Sequence, residues 1–191
     1  MRKTAKLVQE KTETGAIQQP TSLYKLDEET LERIAKEDKP DIVKVFDFLK
    51  AIRSVVEAEG KYSPYLIPIG ERAEQIAKAF EERQITTQEA LKQLQMLGQE
   101  RNEAVKERKE SNLSTEEFAI YWFLKRENIA DAENIARQAA GAFAQYPHWQ
   151  TSEEQELFLR RQLIKVLLNS GIQQVLDFAE RIMKMLERRF N

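Results

Sequence analysis

Two acidic residues and one lysine have the spacing of a catalytic site in this sequence. Pro40-Asp41 followed by Glu59 and Lys61 has the letters of a nuclease motif in which two carboxylates bind one metal ion. If residues 41–59 form one helix, however, the two carboxyl groups lie about 27 Å apart. Oxygen ligands bind such ions at about 2 Å, so this pair predicts no metal site.

The other candidate catalytic groups also lack the partners that their chemistry needs. Residues 27–30 (DEET) look like the acidic box of a helicase, but acids at the start of a helix are favoured by its dipole alone. His148 is the single histidine, and no cysteine or second histidine could share a metal ion with it. The six glycines form neither of the common phosphate-binding loops. We therefore expect no catalytic residue, no metal ligand and no cofactor in this chain.

The composition excludes several classes of protein. The chain has 191 residues, with 30 Lys plus Arg against 32 Asp plus Glu, and no cysteine. A net charge of −2 gives no overall attraction to nucleic acid, and a disulfide scaffold is impossible. Six glycines and five prolines are too few for a turn-rich β-sandwich or barrel. No apolar run could span a membrane or serve as a secretory signal, so we expect a cytoplasmic protein that makes no membrane contact.

The apolar residues recur with the period of an α-helix along almost the whole chain. We predict an all-α protein of about eight helices in an irregular bundle, with no sheet. Residues 1–22 are weakly patterned and are predicted to be a lead-in or linker from a preceding domain. Residues 23–191 are predicted to form the helical domain, and a sub-division near residue 110 is left open.

Capping signals mark the boundaries of these helices. The residues predicted to begin helices are Asp27, Thr86, Ser114, Asp131 and Ser152 (or Thr151), and those predicted to end them are Gly60 and Gly171. Two prolines predict that residues 61–68 are not regular helix. The predicted core-facing residues include Ile42 and Phe46 before this span and Leu157 after it, and the last helix is predicted to begin at Ile172.

Charged residues concentrate in three helices. Residues 100–110 contain four acids and four bases, which predicts a solvated helix face braced by pairs four residues apart. The last two helices are more basic, and their cations are Arg160, Arg161, Lys165, Arg181, Lys184, Arg188 and Arg189. These cations either form a patch for phosphates or for an acidic partner, or simply stabilise helix C-termini. Both alternatives stay open at the level of sequence.

Aromatic residues cluster at 62–65, 121–123 and 146–149. The three consecutive aromatics Tyr121, Trp122 and Phe123 span about 200° of a helix surface, so they cannot all face one core. At least one of them must face a neighbouring element, a partner or solvent. Packing against another helix is the simpler of these explanations.

Several short strings, taken in order, resemble the C-terminal region of the motor (restriction, R) subunit of type I restriction–modification enzymes. The strings are 24–26 (YKL), 44–46 (KVF), 66–73 (LIPIGERA), 80–84 (FEERQ), 118–124 (FAIYWFL), 146–149 (YPHW) and 156–163 (ELFLRRQL). The resemblance extends from about residue 3 to the end of the chain. Because Met1 opens the chain, we expect either an excised part of such a subunit or a free-standing homologue.

In that family the subunit carries a nuclease domain, two helicase-like motor domains and then a helical C-terminal domain. The resemblance implies that this chain corresponds to the last part alone, which docks the motor on the methyltransferase–specificity core. ATP and Mg²⁺ would serve the full-length subunit and not this part, so no catalytic residue is carried over. The alternative is a module that contacts the DNA backbone through basic helices at 160–165 and 181–189. The residues singled out as partner contacts or structural positions are Tyr62, Tyr65, Arg83, Trp122 and Trp149.

Overall fold

The computed structural model describes residues 26–187, and every regular element in that range is helical. The elements are α1 (Glu28–Lys36), α2 (Asp41–Glu59), a 3₁₀ turn (Pro64–Leu66), α3 (Ile67–Glu81), α4 (Thr87–Glu110), α5 (Thr115–Arg126), α6 (Ala132–Gln145), α7 (Glu153–Asn169) and α8 (Val175–Glu187). The prediction of an all-α fold with about eight helices and no sheet is confirmed for the described residues. None of these helices combines the length and the apolar character needed to cross a membrane.

The helices form two groups that share one core. In the first group α1 packs on α2 and α4, and α2, α3 and α4 pack on one another. In the second group α5 packs on α6, α6 on α7 and α7 on α8. The 3₁₀ turn contacts both α5 and α8 and so joins the groups. Residue 110, where a sub-division was left open, ends α4, and the buried side chains on either side of it form one continuous cluster.

Both predicted capping boxes are present. The Thr86 hydroxyl accepts a hydrogen bond from the Glu89 backbone N–H at 3.2 Å, and the Glu89 carboxylate accepts one from the Thr86 N–H at 2.7 Å. Ser114 and Glu117 exchange the same two bonds at 3.2 Å and 2.7 Å. Gly171 follows α7 with φ of +75°, a conformation that favours glycine because it has no Cβ. The two capping boxes could be predicted from the sequence because each depends on residues only three apart.

Two predicted boundaries and one predicted side-chain cap were wrong in detail. α3 begins at Ile67 with Pro68 in its first turn, so the non-helical span is shorter than predicted. Proline is tolerated there because the first N–H groups of a helix have no intrahelical acceptor. Asp131 precedes α6 with φ of +55°, and its side chain caps no backbone N–H. The last helix begins at Val175 instead of Ile172.

The apolar face predicted for α2 is partly on the outside of the protein. Ile42 is 49% exposed and Phe46 is about half exposed, with its ring edge against Phe80 at 6.3 Å. The buried residues of this helix are Val45, Phe48, Leu49, Ala51, Ile52 and Val55. Helical period alone does not say where a wide apolar stripe stops, because that depends on which neighbours cover it.

The aromatic residues of α5 are divided among several neighbours. Phe118 is fully buried and contacts Tyr65 at 5.1 Å and Trp122 at 6.0 Å between ring centres. Phe123 points to another neighbour and contacts Phe178 of α8 at 5.3 Å. Tyr121 is half-buried, and its hydroxyl donates to a carboxylate of α4. The three consecutive aromatics therefore all find partners within the protein, as expected for a helix with neighbours on several sides.

The charged run at 100–110 is not simply a solvated face, and this expectation was wrong. Glu100 is only 5% exposed. Its carboxylate accepts two hydrogen bonds from Arg72 of α3, at 2.9 Å and 2.5 Å, and pairs with Arg126 of α5 at 3.2 Å. Arg101 reaches Glu59 of α2 at 3.2 Å. The ion pairs of this run thus link α4 to other helices, instead of bracing α4 along its own length.

Glu107 forms a second polar link between α4 and α5. The Lys125 ammonium donates to both of its carboxylate oxygens, at 2.7 Å and 2.6 Å, and the Tyr121 hydroxyl donates to one of them. Burial, the strongest single influence, opposes ionisation of this carboxyl group. The hydrogen bonds from Lys125 and Tyr121 together outweigh it and hold the pKa of Glu107 below its ordinary value of 4.5.

The replacement Glu107→Gln is expected to lower the free energy of unfolding by about 1 kcal/mol at pH 7, since the pair is partly exposed. A lowered carboxyl pKa stabilises the folded state fully above the unfolded pKa, and this contribution is lost as the pH falls through the folded pKa. The carboxyl pKa of glutamate in unfolded chains is about 4.3. The difference in stability between wild type and variant should therefore be constant from pH 8 to pH 6 and shrink once the pH falls below about 4.3. Urea unfolding at each pH measures it, and a difference that grows on acidification would contradict the assignment.

Candidate docking surface

Helix α7 has one face in the core and one face directed away from it. Ser152 begins the helix, and its hydroxyl accepts a hydrogen bond from the Gln155 backbone N–H at 3.3 Å. Leu159, Leu163 and Leu167 are fully buried against the rest of the bundle. Because α7 packs on α6 and α8, the side opposite these leucines is not covered by any of the described helices.

This uncovered side carries large apolar residues together with cations, and we call it the α7 outer face. It consists of Leu157, Phe158, Arg161, Ile164, Lys165 and Leu168. Leu168 is 61% exposed, Leu157 and Phe158 are nearly half exposed, and Ile164 is partly buried. An ideal helix places all six within about 60° of the direction of Arg161, opposite the buried leucines. A contiguous group of exposed apolar side chains is typical of an interaction surface.

The charges on the α7 outer face are positive. The Arg161 guanidinium lies 6.0 Å from the centre of the Phe158 ring, which in turn stacks on Tyr146 with ring centres 6.2 Å apart. Within residues 26–187, neither Arg161 nor Lys165 has a carboxylate within 4.0 Å of its cationic nitrogen atoms. Among the described residues, no carboxylate therefore neutralises the charges of this face.

The other predicted cations belong to intramolecular pairs. Arg160 pairs with Glu156 one turn away at 3.2 Å, in the groove between α7 and α8. Arg181 pairs with Glu127 at 2.6 Å, and its guanidinium lies 4.6 Å from the centre of the Phe123 ring. The structure therefore does not bring these cations into one basic patch.

The remaining two predicted cations at the end of the chain, Arg188 and Arg189, lie outside the described residues.

Lys184 pairs with Glu71 of α3 at 3.3 Å. This contact joins α8 to α3, so Lys184 connects the two groups of helices.

Three of the predicted aromatic contact positions are structural. Tyr65, Trp122 and Trp149 are buried, and Trp149 packs edge-on against Phe143 of α6 at 5.6 Å. The indole Nε1 of Trp122 is buried and has no hydrogen-bond partner among the described residues. These side chains support the core that holds the surface helices in place.

The other two predicted contact positions are on the surface but far from each other. Tyr62 is exposed in the connection before α3, and Arg83 is exposed in the turn after α3 with φ of +56°. The 15 residues of α3 between them span about 22 Å. The two residues therefore do not form one site.

A concave region lies between α3 and α4. It is a groove of about 570 Å³ whose apolar wall includes Ile76, Ile85 and Met96. The charged residues around it are two arginines and two glutamates, Arg72, Arg126, Glu100 and Glu103. The formal charges of these four side chains sum to zero.

The residues of the α7 outer face that sequence reasoning missed are its apolar ones. Leu157 was predicted to face the core, and Phe158 and Leu168 were not singled out. A signal was present in the spacing, because the apolar residues of 157–168 exceed what one core-facing stripe can hold. Two apolar stripes on one helix indicate two neighbours, and the helices within residues 26–187 cover one of them.

No group of three or more histidine and acidic side chains in the described part of the chain is arranged to hold a metal ion. What the α7 outer face offers is exposed apolar side chains beside cations. Comparisons of the chain with protein-family models, with curated proteins and with solved structures find no match in any of the three.

Proposed function

We propose that this chain is a non-catalytic helical docking module of the motor subunit of a type I restriction–modification enzyme. In this role it holds the ATP-driven translocase and endonuclease subunit on the methyltransferase–specificity core. The α7 outer face is the observation that carries the docking role. The family assignment rests on the sequence resemblance, one string of which, 156–163, lies on α7 itself.

The energetics of the α7 outer face favour docking. Burying a large apolar side chain is worth about 1.5–3 kcal/mol relative to leaving it exposed. Leu157, Phe158 and Leu168 hold much of their apolar surface in water on one helix. A partner helix that covers all three gains the share of this free energy that belongs to their exposed surface, roughly half. It does so without any rearrangement of the bundle, since their backbone positions are set by the buried side of α7.

The alternative role, contact with the DNA backbone, is less well supported by the geometry. Arg160, Arg181 and Lys184 are each paired with a carboxylate, which a phosphate would have to displace. The free energy of binding to DNA phosphates comes largely from the release of counterions. Contact with DNA would therefore leave the exposed leucines of α7 unexplained. The proposed role brings the chain near DNA only indirectly, through the motor domains of its own subunit, and places it in the cytoplasm.

The proposal is tested by titrating the chain into the purified methyltransferase–specificity core and measuring heat release. We expect saturable binding that the replacement Leu168→Glu weakens by at least about tenfold, because a charge would be buried against apolar surface. Ile42→Glu is the matched control, since Ile42 is 49% exposed on α2, away from α7. It should leave the affinity unchanged.

Three outcomes would contradict the proposal. Failure of the wild-type chain to bind the core, while circular dichroism shows it folded, would remove the docking role. Hydrolysis of ATP by the purified chain alone would show that it is an enzyme. Equal weakening by Leu168→Glu and Ile42→Glu would show that binding does not use the α7 outer face.

A further inference from the structure

The α7 outer face has the spacing of a coiled-coil seam. Leu157, Arg161, Ile164 and Leu168 are separated by four, three and four residues, which lines them up along one side of a helix. From Leu157 to Leu168 this row extends over about 17 Å, or three helical turns. The seam therefore matches the side of one partner helix of similar length, packed along α7.

The charge of the seam restricts which helix can occupy it. Arg161 lies within the apolar row, and Lys165 flanks it. The acids of α7 are confined to its first turn, at residues 153–156, and residues 161–169 contain none. A cation at a core position of a coiled coil is stabilised when the partner presents a carboxylate opposite to it, and charges at the flanking positions select the partner's sign.

A second copy of this chain does not fit the seam. The middle of the stretch from Leu157 to Leu168 lies next to Arg161 and Lys165. A two-fold axis through this middle would bring the cations of both copies together, because a symmetric interface pairs each patch with itself. Like charges at close range oppose association.

We infer that the α7 outer face binds an acidic amphipathic helix of the partner. That helix places apolar residues against Leu157, Ile164 and Leu168 and carboxylates against Arg161 and Lys165. This inference rests on the proposed docking function and adds the chemistry of the partner segment. Apolar packing supplies affinity, and the two cations supply register and specificity.

The experiment uses two synthetic probes of about four heptads each. Both have leucine at the seam positions. One carries glutamate at a central seam position and at the flanking positions, and the other carries lysine there. Like charges along each peptide keep it from pairing with itself. Fluorescence anisotropy of the labelled peptides reports binding to the full chain.

We expect the glutamate peptide to bind the wild-type chain at least about tenfold more tightly than the lysine peptide. The double variant Arg161→Glu, Lys165→Glu should reverse this preference. The matched control is Lys92→Glu, Lys109→Glu, which makes the same change of charge at two exposed positions of α4. It should keep the preference for the glutamate peptide.

The inference is overturned if the two peptides bind wild type equally, if neither binds, or if the preference survives in the Arg161, Lys165 variant. It is also overturned if a short DNA duplex, and not the glutamate peptide, loses affinity in that variant. Loss of the proposed function looks different. In that case the glutamate peptide binds as expected, but the methyltransferase–specificity core does not.

Discussion

Replacing Phe118 by alanine is expected to lower the free energy of unfolding by about 3–5 kcal/mol. The Phe118 ring is fully buried in α5, and it contacts Tyr65 of the 3₁₀ turn and Trp122 of its own helix. Tyr65 belongs to another element and Trp122 is fixed in the same helix, so the surroundings can only partly collapse into the cavity. Such a change is a large share of the total stability of a domain of this size. Urea unfolding followed by far-ultraviolet circular dichroism measures the effect.

Phe46→Ala is the matched control for this prediction. It makes the same change of side chain on α2, where Phe46 is about half exposed and contacts one other ring. We expect it to cost no more than about 1 kcal/mol, because about half of the side chain already faces water and no enclosed cavity is left. Equal losses in the two variants would show that Phe118 is not at the centre of the core.

Replacing Glu100 by alanine is the second change with a large expected effect, a loss of about 2 kcal/mol. It leaves two guanidinium groups, those of Arg72 and Arg126, without the carboxylate that they share. An unpaired buried charge costs about 3–5 kcal/mol. The two arginine side chains are 38% and 47% exposed, however, so water replaces part of the lost interaction.

Glu103→Ala tests whether the effect belongs to the ion pairs. Glu103 lies one turn further along α4 and is exposed, so its removal should change the free energy of unfolding by less than about 0.5 kcal/mol. Arg126→Ala should lose less than Glu100→Ala, because Glu100 then keeps its two bonds from Arg72. If all three variants are equally stable, the Glu100 pairs do not hold α3, α4 and α5 together.

Position 100 illustrates why a charged run is hard to interpret from sequence. Within residues 100–110 the acids and bases alternate closely enough to suggest pairs along one helix. The pairs that form instead connect α4 to α2, α3 and α5. A carboxylate becomes buried only when other helices bring both apolar cover and cationic partners to it. Neither can be seen in a sequence separation of three or four residues.

Which residues form the α7 outer face also depends on how distant helices pack. Its cations were singled out from the sequence, but Arg160 and Arg161, which are adjacent in the chain, have different roles in the fold. Arg160 pairs with Glu156 beside α8, whereas Arg161 faces away from the core. Adjacent residues of a helix point about 100° apart. Which of them is exposed depends on where α6 and α8 lie.

The amino-acid sequence alone determined the helical fold class, the two capping boxes and the absence of the common phosphate-binding loops from the chain. These properties depend on composition, on helical period and on contacts between residues three or four apart. The tertiary structure decided which apolar stripe of α7 remains uncovered, which cations stay unpaired and that Glu100 is buried. Each of these depends on distant segments packing together, because a side chain is exposed or paired only relative to the helices around it.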